Sequence, residues 1–486
     1  MTLGILAIGG YLPKTRLQRT DIAKANAWFN PALKGLANGE RTMANWDEDS
    51  VTMAVEAGRD CLTGIDRSTV SGIYMASTSF PFQDRQNAGI VADALNLSTQ
   101  IQTLDISSSQ RAGSSALLTA LQSVRSTEGP ILVSASEKRR ARAASPLELT
   151  TGDGAAAVLV GEGEPIAHYI GGHTEAVDFV DHFRGEGEAF DYNWEERWIR
   201  DEGYMKIAPN AINNLLDNAG VSAQDIDKFC FPVAMRRAAS GLARKIGIAE
   251  ESVADNLQSS CGETGSAHSL VLLVHALEQA KPGEKILVIG FGQGCDALLF
   301  EATEAVEVAP DRLAISGHLA RGRSENRYTR YLSFNNLLTM ERGIRAEVDK
   351  QTGLSTLYRN KDMSQKLLGG QCSECGTCQF PRSKICVNPD CGAINSQVEE
   401  PFADKRAKLN SYTADRLTYS ADPPNYFGMV QFEGGGRMMS DLTDIDPEVE
   451  LEVGISMRMV FRVKDYDTLR GFRRYFWKAT PQNDTH

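Results

Sequence analysis

No stretch of the chain is apolar for long enough to span a bilayer, which excludes a membrane-spanning helix. No basic segment precedes the short apolar run at 1–12, so a secretory leader is not expected there. Basic residues are in the minority, 51 against 63 acidic ones, with a formal net charge of −12. That balance argues against general nucleic-acid binding. A disulfide framework is also absent: of nine cysteines, five crowd into 372–391 and the other four lie singly in apolar runs. This distribution fits a reducing, cytoplasmic setting and one metal site.

The length, 486 residues, suits two or three domains. Up to about residue 306, short apolar strands alternate with helical patterns, the mark of an α/β domain. Strands are expected at LGILAIGG, SGIYMAST, GPILVSAS, GAAAVLVG, DKFCFPV, KILVIGFG and ALLFEAT, and helices at 50–62, 86–95, 110–124, 204–219, 237–246 and 264–279. Two stretches share one plan, SSALLTALQSVRSTEGPILVSAS and SAHSLVLLVHALEQAKPGEKILVIGFG: small residues, apolar helix, Gly/Pro turn, strand. The pair suggests duplication of a half-domain. The segment 305–370 is polar, with a helix expected around 328–340, and beyond 371 the sequence is β-rich and reads as a small barrel.

Cys372-x-x-Cys375 and Cys386-x4-Cys391 have the spacing of two knuckles that set four thiolates around zinc. Cys378 is a spare able to replace one ligand. With no histidine nearby and no open position, the metal is expected to be structural.

In TLDISSSQRAGSSALL (103–118) a strand runs through Ser107, Ser108 and Ser109, good N-cap residues, into a helix opening at Gln110 and Arg111. Such a junction stabilises an anion through backbone N–H groups and the helix dipole. Glutamine there neither ionises nor acts as a nucleophile, but its N–H groups can hold a carbonyl or anionic oxygen; alternatively it fills the helix end. Ser109 reads as a cap. In CGETGSAHS, Glu263 is a candidate base with His268 as its proton partner, beside Cys261. The plainer alternative has Glu263 capping a helix, His268 packing and Cys261 buried. The basic run 138–142 suits phosphate groups of a ligand or simple solvation. Asp181-His182-Phe183-Arg184 receives no role from sequence, because no partner for His182 is identifiable.

The segment 371–481 resembles the zinc-ribbon and OB-fold modules that accompany thiolases, through CSECGTCQFPRSKIC, PPNYFGMVQFEGGGRMM and VGISMRMVFR. Residues 1–305 resemble the thiolase superfamily, notably archaeal-type HMG-CoA synthases and ketoacyl synthase III, through NWDEDSVTMAVEAGRDCL, QRAGSSAL, TTGDGAAAVLV, VDFVDHFRGEGEAFDYNWEERW, GLARKIGI and GFGQGCDALLF. The resemblance implies a duplicated thiolase-like αβαβα sandwich (1–305), a helical connector (306–370), a zinc ribbon (371–398) and an OB-fold (399–486). It also implies a homodimer, zinc as structural metal, and an acyl-CoA thioester as substrate.

Against that pattern, Gln110 stands where these synthases carry the acyl-accepting cysteine, Thr78 where the general base belongs, and Phe231, Pro232 or Val233 where a histidine belongs. Two functions follow from the resemblance. One is carbon–carbon bond chemistry on acyl-CoA, aldol, retro-aldol or acyl transfer, through a non-covalent enolate with Gln110, Glu263 and His268 at the site. The other is a non-catalytic CoA-binding or scaffold subunit beside a separate thiolase that supplies the nucleophile, as in the monoacetylphloroglucinol acetyltransferase complex.

Overall fold

The computed structural model describes residues 2–482 apart from 236, 309–311, 352, 447 and 449. Two compact units are formed, one from Met1–Ala44, Asp49–Ala92 and Leu97–Leu338, the other from Asn45–Glu48, Asp93–Asn96 and Thr339–His486.

The first unit is built on strands β1 (Thr2–Tyr11), β2 (Gly72–Ala76), β3 (Gln102–Ile106), β4 (Ile131–Glu137), β5 (Gly154–Gly163), β6 (Ala167–Ala176), the short β7 (His182–Phe183) and β8 (Tyr192–Asn193), then β9 (Lys228–Cys230), β10 (Lys285–Phe291) and β11 (Gly294–Ala302). All but β7 and β8 line up in the order β9-β10-β11-β6-β1-β5-β4-β2-β3. The two halves meet thinly, β1 pairing with β6 only at Gly4–His168 and Ile5–Ala167. Within each half the pairing repeats. β2-β4-β5-β1 and β9-β10-β11-β6 both run parallel, antiparallel, antiparallel. The duplication expected from the two helix–strand repeats is therefore a property of the fold.

Helices fill three layers around these halves. The amphipathic α1 (Ser50–Cys61), started by an Asp49 capping box, covers β1, β4 and β5. Between the halves lie α2 (Ala112–Ser123) and α5 (His268–Leu277), touching strands of both. On the far side α3 (Ala208–Ala219) packs on β6 and β11, with α4 (Ala238–Ile246) beside it. α5 is buried at every residue except His275, as a helix apolar all round must be. Gly113 lets α2 approach the turn before α5: a Cβ there would lie 2.2 Å from the Ser266 carbonyl oxygen.

Strand β6 was not foreseen from sequence, because AHYIGGHTEA mixes glycine and polar residues and carries no apolar run. The helix expected at 204–219 starts earlier, as a π-helical stretch Ile199–Ile207 that runs into α3. The helix expected around 328–340 stops at Phe334, where Asn336 turns to φ +56°. The first unit also continues past residue 305 to Leu338. The helix Ala314–Ala320 packs on β1 and α5, and Arg323–Glu325 pairs with Thr15–Gln18.

In the second unit β12 (Leu368–Cys372) sits between β13 (Cys378–Gln379) and β14 (Gln397–Pro401). Five further strands, β15 (Ala407–Asp415), β16 (Asn425–Phe432), β17 (Arg437–Asp441), β18 (Ser456–Asp467) and β19 (Phe472–Pro481), follow the antiparallel order β17-β16-β15-β18-β19. The barrel closes where the Thr443 N–H donates to the Ala479 carbonyl at 2.9 Å. Inside it Tyr475 stacks on Phe461, and Trp477 meets Phe461 edge to face. Among the described residues no helix is long and apolar enough to cross a membrane.

Candidate functional site

Strand β3 enters the site through 107–111. Ser108 adopts φ +72°, and this left-handed turn delays α2 to Ala112, two residues later than the capping pattern suggests. Ser109 Oγ accepts from the Arg111 N–H at 3.2 Å and donates to the Gly292 carbonyl at 2.8 Å. Its hydroxyl is thus spent on holding the turn. Below it, buried Asp296 receives Arg111 Nη1 at 2.6 Å, Ser115 Oγ at 2.6 Å, Ser114 Oγ at 2.9 Å and Thr174 Oγ1 at 2.9 Å. These contacts fix the head of α2.

Gln110 projects from that head. Its Nε2 lies 3.2 Å from His182 Nε2, and His182 Nδ1 lies 3.0 Å from Asp181 Oδ1. The chain is satisfied when Nδ1–H donates to Asp181, leaving the Nε2 lone pair to accept from the Gln110 amide. Gln110 Oε1 is buried and has no partner among the described residues.

That oxygen faces a crowded point. A Cβ added to Gly265, which sits at φ +57°, would lie 3.1 Å from it, 2.6 Å from Glu137 Cγ and 3.0 Å from Arg139 Cδ. Only glycine suits this position, both for its backbone and for its space. Glu137 is fully buried and accepts from Thr78 N at 3.0 Å, Thr78 Oγ1 at 2.9 Å and Ser266 Oγ at 2.7 Å.

Arg139 turns inward from the basic run, 6% exposed, so it is neither solvated nor free for phosphates. It reaches Asp191 Oδ2 at 2.5 Å and Glu263 Oε2 at 3.4 Å. Arg184 adds Asp191 Oδ1 at 3.0 Å and donates to the Thr78 carbonyl. Burial by itself would lower the Arg139 pKa, but Asp191, Glu263 and Glu137 raise it above the ordinary guanidinium value. Burial likewise opposes ionisation of Asp191, and Arg139 overrides it, holding the carboxyl below its usual range.

Of the three residues singled out in sequence, Gln110 lies at this point, Glu263 is linked to it through Arg139, and His268 has other partners. The His268 ring is fully buried, with Nδ1 receiving Thr264 N at 3.2 Å and Nε2 facing the Asn256 carbonyl at 3.0 Å. Both nitrogens are engaged, so it does not face Glu263 as a proton partner, and burial lowers its pKa. Cys261 is buried as well, its thiol pushed up to about 12 by burial. The imidazole at the site is His182 instead. Its signal in the sequence was the alternation in DHFR, which puts residues 182 and 184 on one side of an extended strand.

In the second unit Cys372, Cys375, Cys386 and Cys391 gather with all four Sγ atoms within 4.8 Å of one another. Cys372 and Cys391 are 3.9 Å apart, Cys375 and Cys386 3.6 Å. Tetrahedral zinc with bonds of about 2.3 Å sets its sulfurs about 3.8 Å apart, so the cluster fits the ion. Cys378 lies outside the cluster, its backbone on β13 bonded to the Gly434 carbonyl.

Comparison with known proteins agrees with this division. The hydroxymethylglutaryl-CoA synthase of Methanosphaera stadtmanae is 30% identical over 309 residues, 62% of this chain and 88% of that protein. The chain belongs to the hydroxymethylglutaryl-CoA synthase family. The enzyme of Caldivirga maquilingensis is 28% identical over 353 residues, 71% of this chain and all of that one. Family models match residues 216–300 as the C-terminal part of 3-oxoacyl-[acyl-carrier-protein] synthase III, 359–394 as the rubredoxin-like zinc ribbon of ChsH2, and 400–462 as its C-terminal OB-fold. A crystal structure of HMG-CoA synthase complexed with CoA superposes with a TM-score of 0.59 at 18% identity, covering 83% of this chain and all of that one. PksG, an HMG-CoA synthase from Bacillus subtilis, gives 0.59 at 16% identity, over 72% and 95%. This family member therefore carries a condensing-enzyme fold followed by a zinc ribbon and an OB-fold.

Proposed function

We propose that this HMG-CoA synthase-family protein binds an acyl-CoA thioester at the head of α2 and acts on the carbon–carbon bond beside the thioester without becoming acylated. Gln110 occupies the place of the acyl-accepting cysteine of the relatives. The observation that carries the reading is the Asp181–His182–Gln110 chain, with an unpartnered amide oxygen that, like Arg139, borders the space at Gly265, and with Arg139 in turn bound to Glu263.

On a 3-hydroxyacyl thioester, Glu263 takes the hydroxyl proton and the C2–C3 bond breaks. A carbonyl compound leaves, and the electron pair stays on C2 as the thioester enolate. The second Gln110 N–H and the dipole of α2 hold the enolate oxygen, while Arg139 orients the Glu263 side chain. The proton taken by Glu263 returns to C2. Run backwards, the same steps are an aldol addition.

The zinc ribbon is structural in this scheme. A homodimer through the synthase-like unit suits β3, an edge strand exposed along most of its length. Five buried free thiols outside the zinc cluster suit a cytoplasmic setting.

The test is the purified full chain given 3-hydroxyacyl-CoA thioesters. Cleavage is expected, abolished by Glu263→Gln and weakened by Gln110→Ala, with no acyl-protein seen by mass spectrometry. An acylated side chain, or cleavage indifferent to both substitutions, would sink the reading. Activity appearing only after a thiolase is added would assign the chemistry to that subunit and leave this chain the CoA-binding role.

A further inference from the structure

The hairpin of β7 and β8 has two faces. Asp181, His182, Arg184 and Asp191 turn toward the site, whereas Phe183, Tyr192 and Trp194 turn outward, 53, 57 and 55% exposed. The outward rings form a row, Phe183 to Tyr192 at 5.4 Å and Tyr192 to Trp194 at 6.5 Å. Trp198 follows at 45% exposure. Across the loop that carries Arg139, the pair Trp28 and Phe29 stands at 83 and 69%. That loop joins the two groups: Asn30 donates to the Ala144 carbonyl at 3.2 Å, and the Arg142 guanidinium lies 5.2 Å from the Phe190 ring. Three of the chain's five tryptophans thus lie on one side of the unit, in solvent. Tryptophan and tyrosine in this state are typical anchors of protein interfaces.

The charge around them selects the partner. Residues 185–196 carry five carboxylates and no lysine or arginine. Glu186, Glu188, Glu195 and Glu196 are exposed and have no cationic partner among the described residues. An anionic membrane surface is repelled by this rim. A twofold contact of the face with itself would set like charges against each other. We propose that this face docks a basic, amphipathic segment of a partner protein, whose apolar side covers Phe183, Tyr192, Trp194 and Trp198 while its cations meet the glutamates. The surface stands on exposure and charge, independently of the chemistry at Gln110.

The test uses the full chain and a synthetic amphipathic helix of lysine and leucine, followed by tryptophan fluorescence and calorimetry. Saturable binding is expected, weakened roughly tenfold by Tyr192→Ser with Trp194→Ser, and similarly by Glu195→Lys with Glu196→Lys, as loss of one hot-spot group predicts. A lysine and serine peptide of equal charge should bind much less. Because these side chains are exposed, the variants should keep the parent's melting temperature; Trp28→Ser, on a separate helix end, is the second probe. Equal binding by the serine peptide, or affinity unchanged in all three variants, would overturn the proposal. So would association with anionic vesicles in place of the peptide, or a dimer that dissociates when Trp194 is replaced.

Discussion

The side-chain nitrogen of Gln110 lies 3.2 Å from Nε2 of His182. Any side chain at position 110 therefore meets an imidazole whose far nitrogen is already held by Asp181. A thiol placed there should lose its proton readily, at the N-terminal end of a helix and beside a base. Gln110→Cys is expected to react with iodoacetamide near neutral pH about tenfold faster than Gln110→Cys combined with His182→Ala. Peptide mapping of the labelled residue checks this, and equal rates would show that the imidazole does not act on position 110.

Arg139 holds two carboxylates in a nearly dry place. Replacing it by alanine leaves Asp191 and Glu263 without that cation, and the loss of stability should be about 3 kcal/mol, as for other broken buried pairs. Urea unfolding of the parent and of Arg139→Ala measures it. A loss below about 1 kcal/mol would mean that the pairs behave as surface ones.

His268 gives the protein a pH dependence. Its folded pKa lies below the ordinary 6.5 because it is buried. As pH falls through about 6.5 the unfolded chain takes up a proton that the folded chain refuses, so stability falls. The urea midpoint should drop between about pH 7 and pH 5, ahead of the carboxylate titrations at more acid pH. In His268→Asn the midpoint should be lower throughout and its slope over that interval flatter. An unchanged slope would place the titration elsewhere.

Metal analysis should find one zinc per chain, held by the four clustered thiolates. Cys386→Ser should lose it and Cys378→Ser should keep it. Chelation is expected to unfold the ribbon while the melting of the synthase-like unit stays in place. Retention of zinc by the Cys386 variant would redraw the ligand set.

Much of the architecture was legible because local pattern and global fold agree. Apolar runs such as ILVSASE and KILVIGF are buried strands, and the repeated helix–strand plan is the repeated half-sandwich. The cysteine spacing was legible for a similar reason, since a knuckle brings its ligands together within one turn. The surroundings of Gln110 were not. His182 is 72 positions from Gln110, and no local rule connects them. His268 misled in the opposite direction. Proximity to Glu263 in sequence counted for little, because a helix and its preceding turn send the two side chains to different partners. Arg139 looked like part of a solvated basic run. Only the fold brings Asp191 and Glu263 to it.

Asp296 has a consequence for how this protein tolerates change. Its four donors come from α2, from the N-cap residue Arg111 and from β6, and none of them is the side chain at position 110. The pedestal is thus anchored from beneath, and whichever amino acid stands on it inherits the same coordinates. Such a mounting lets evolution, or an engineer, exchange the side chain at position 110 without rebuilding the scaffold.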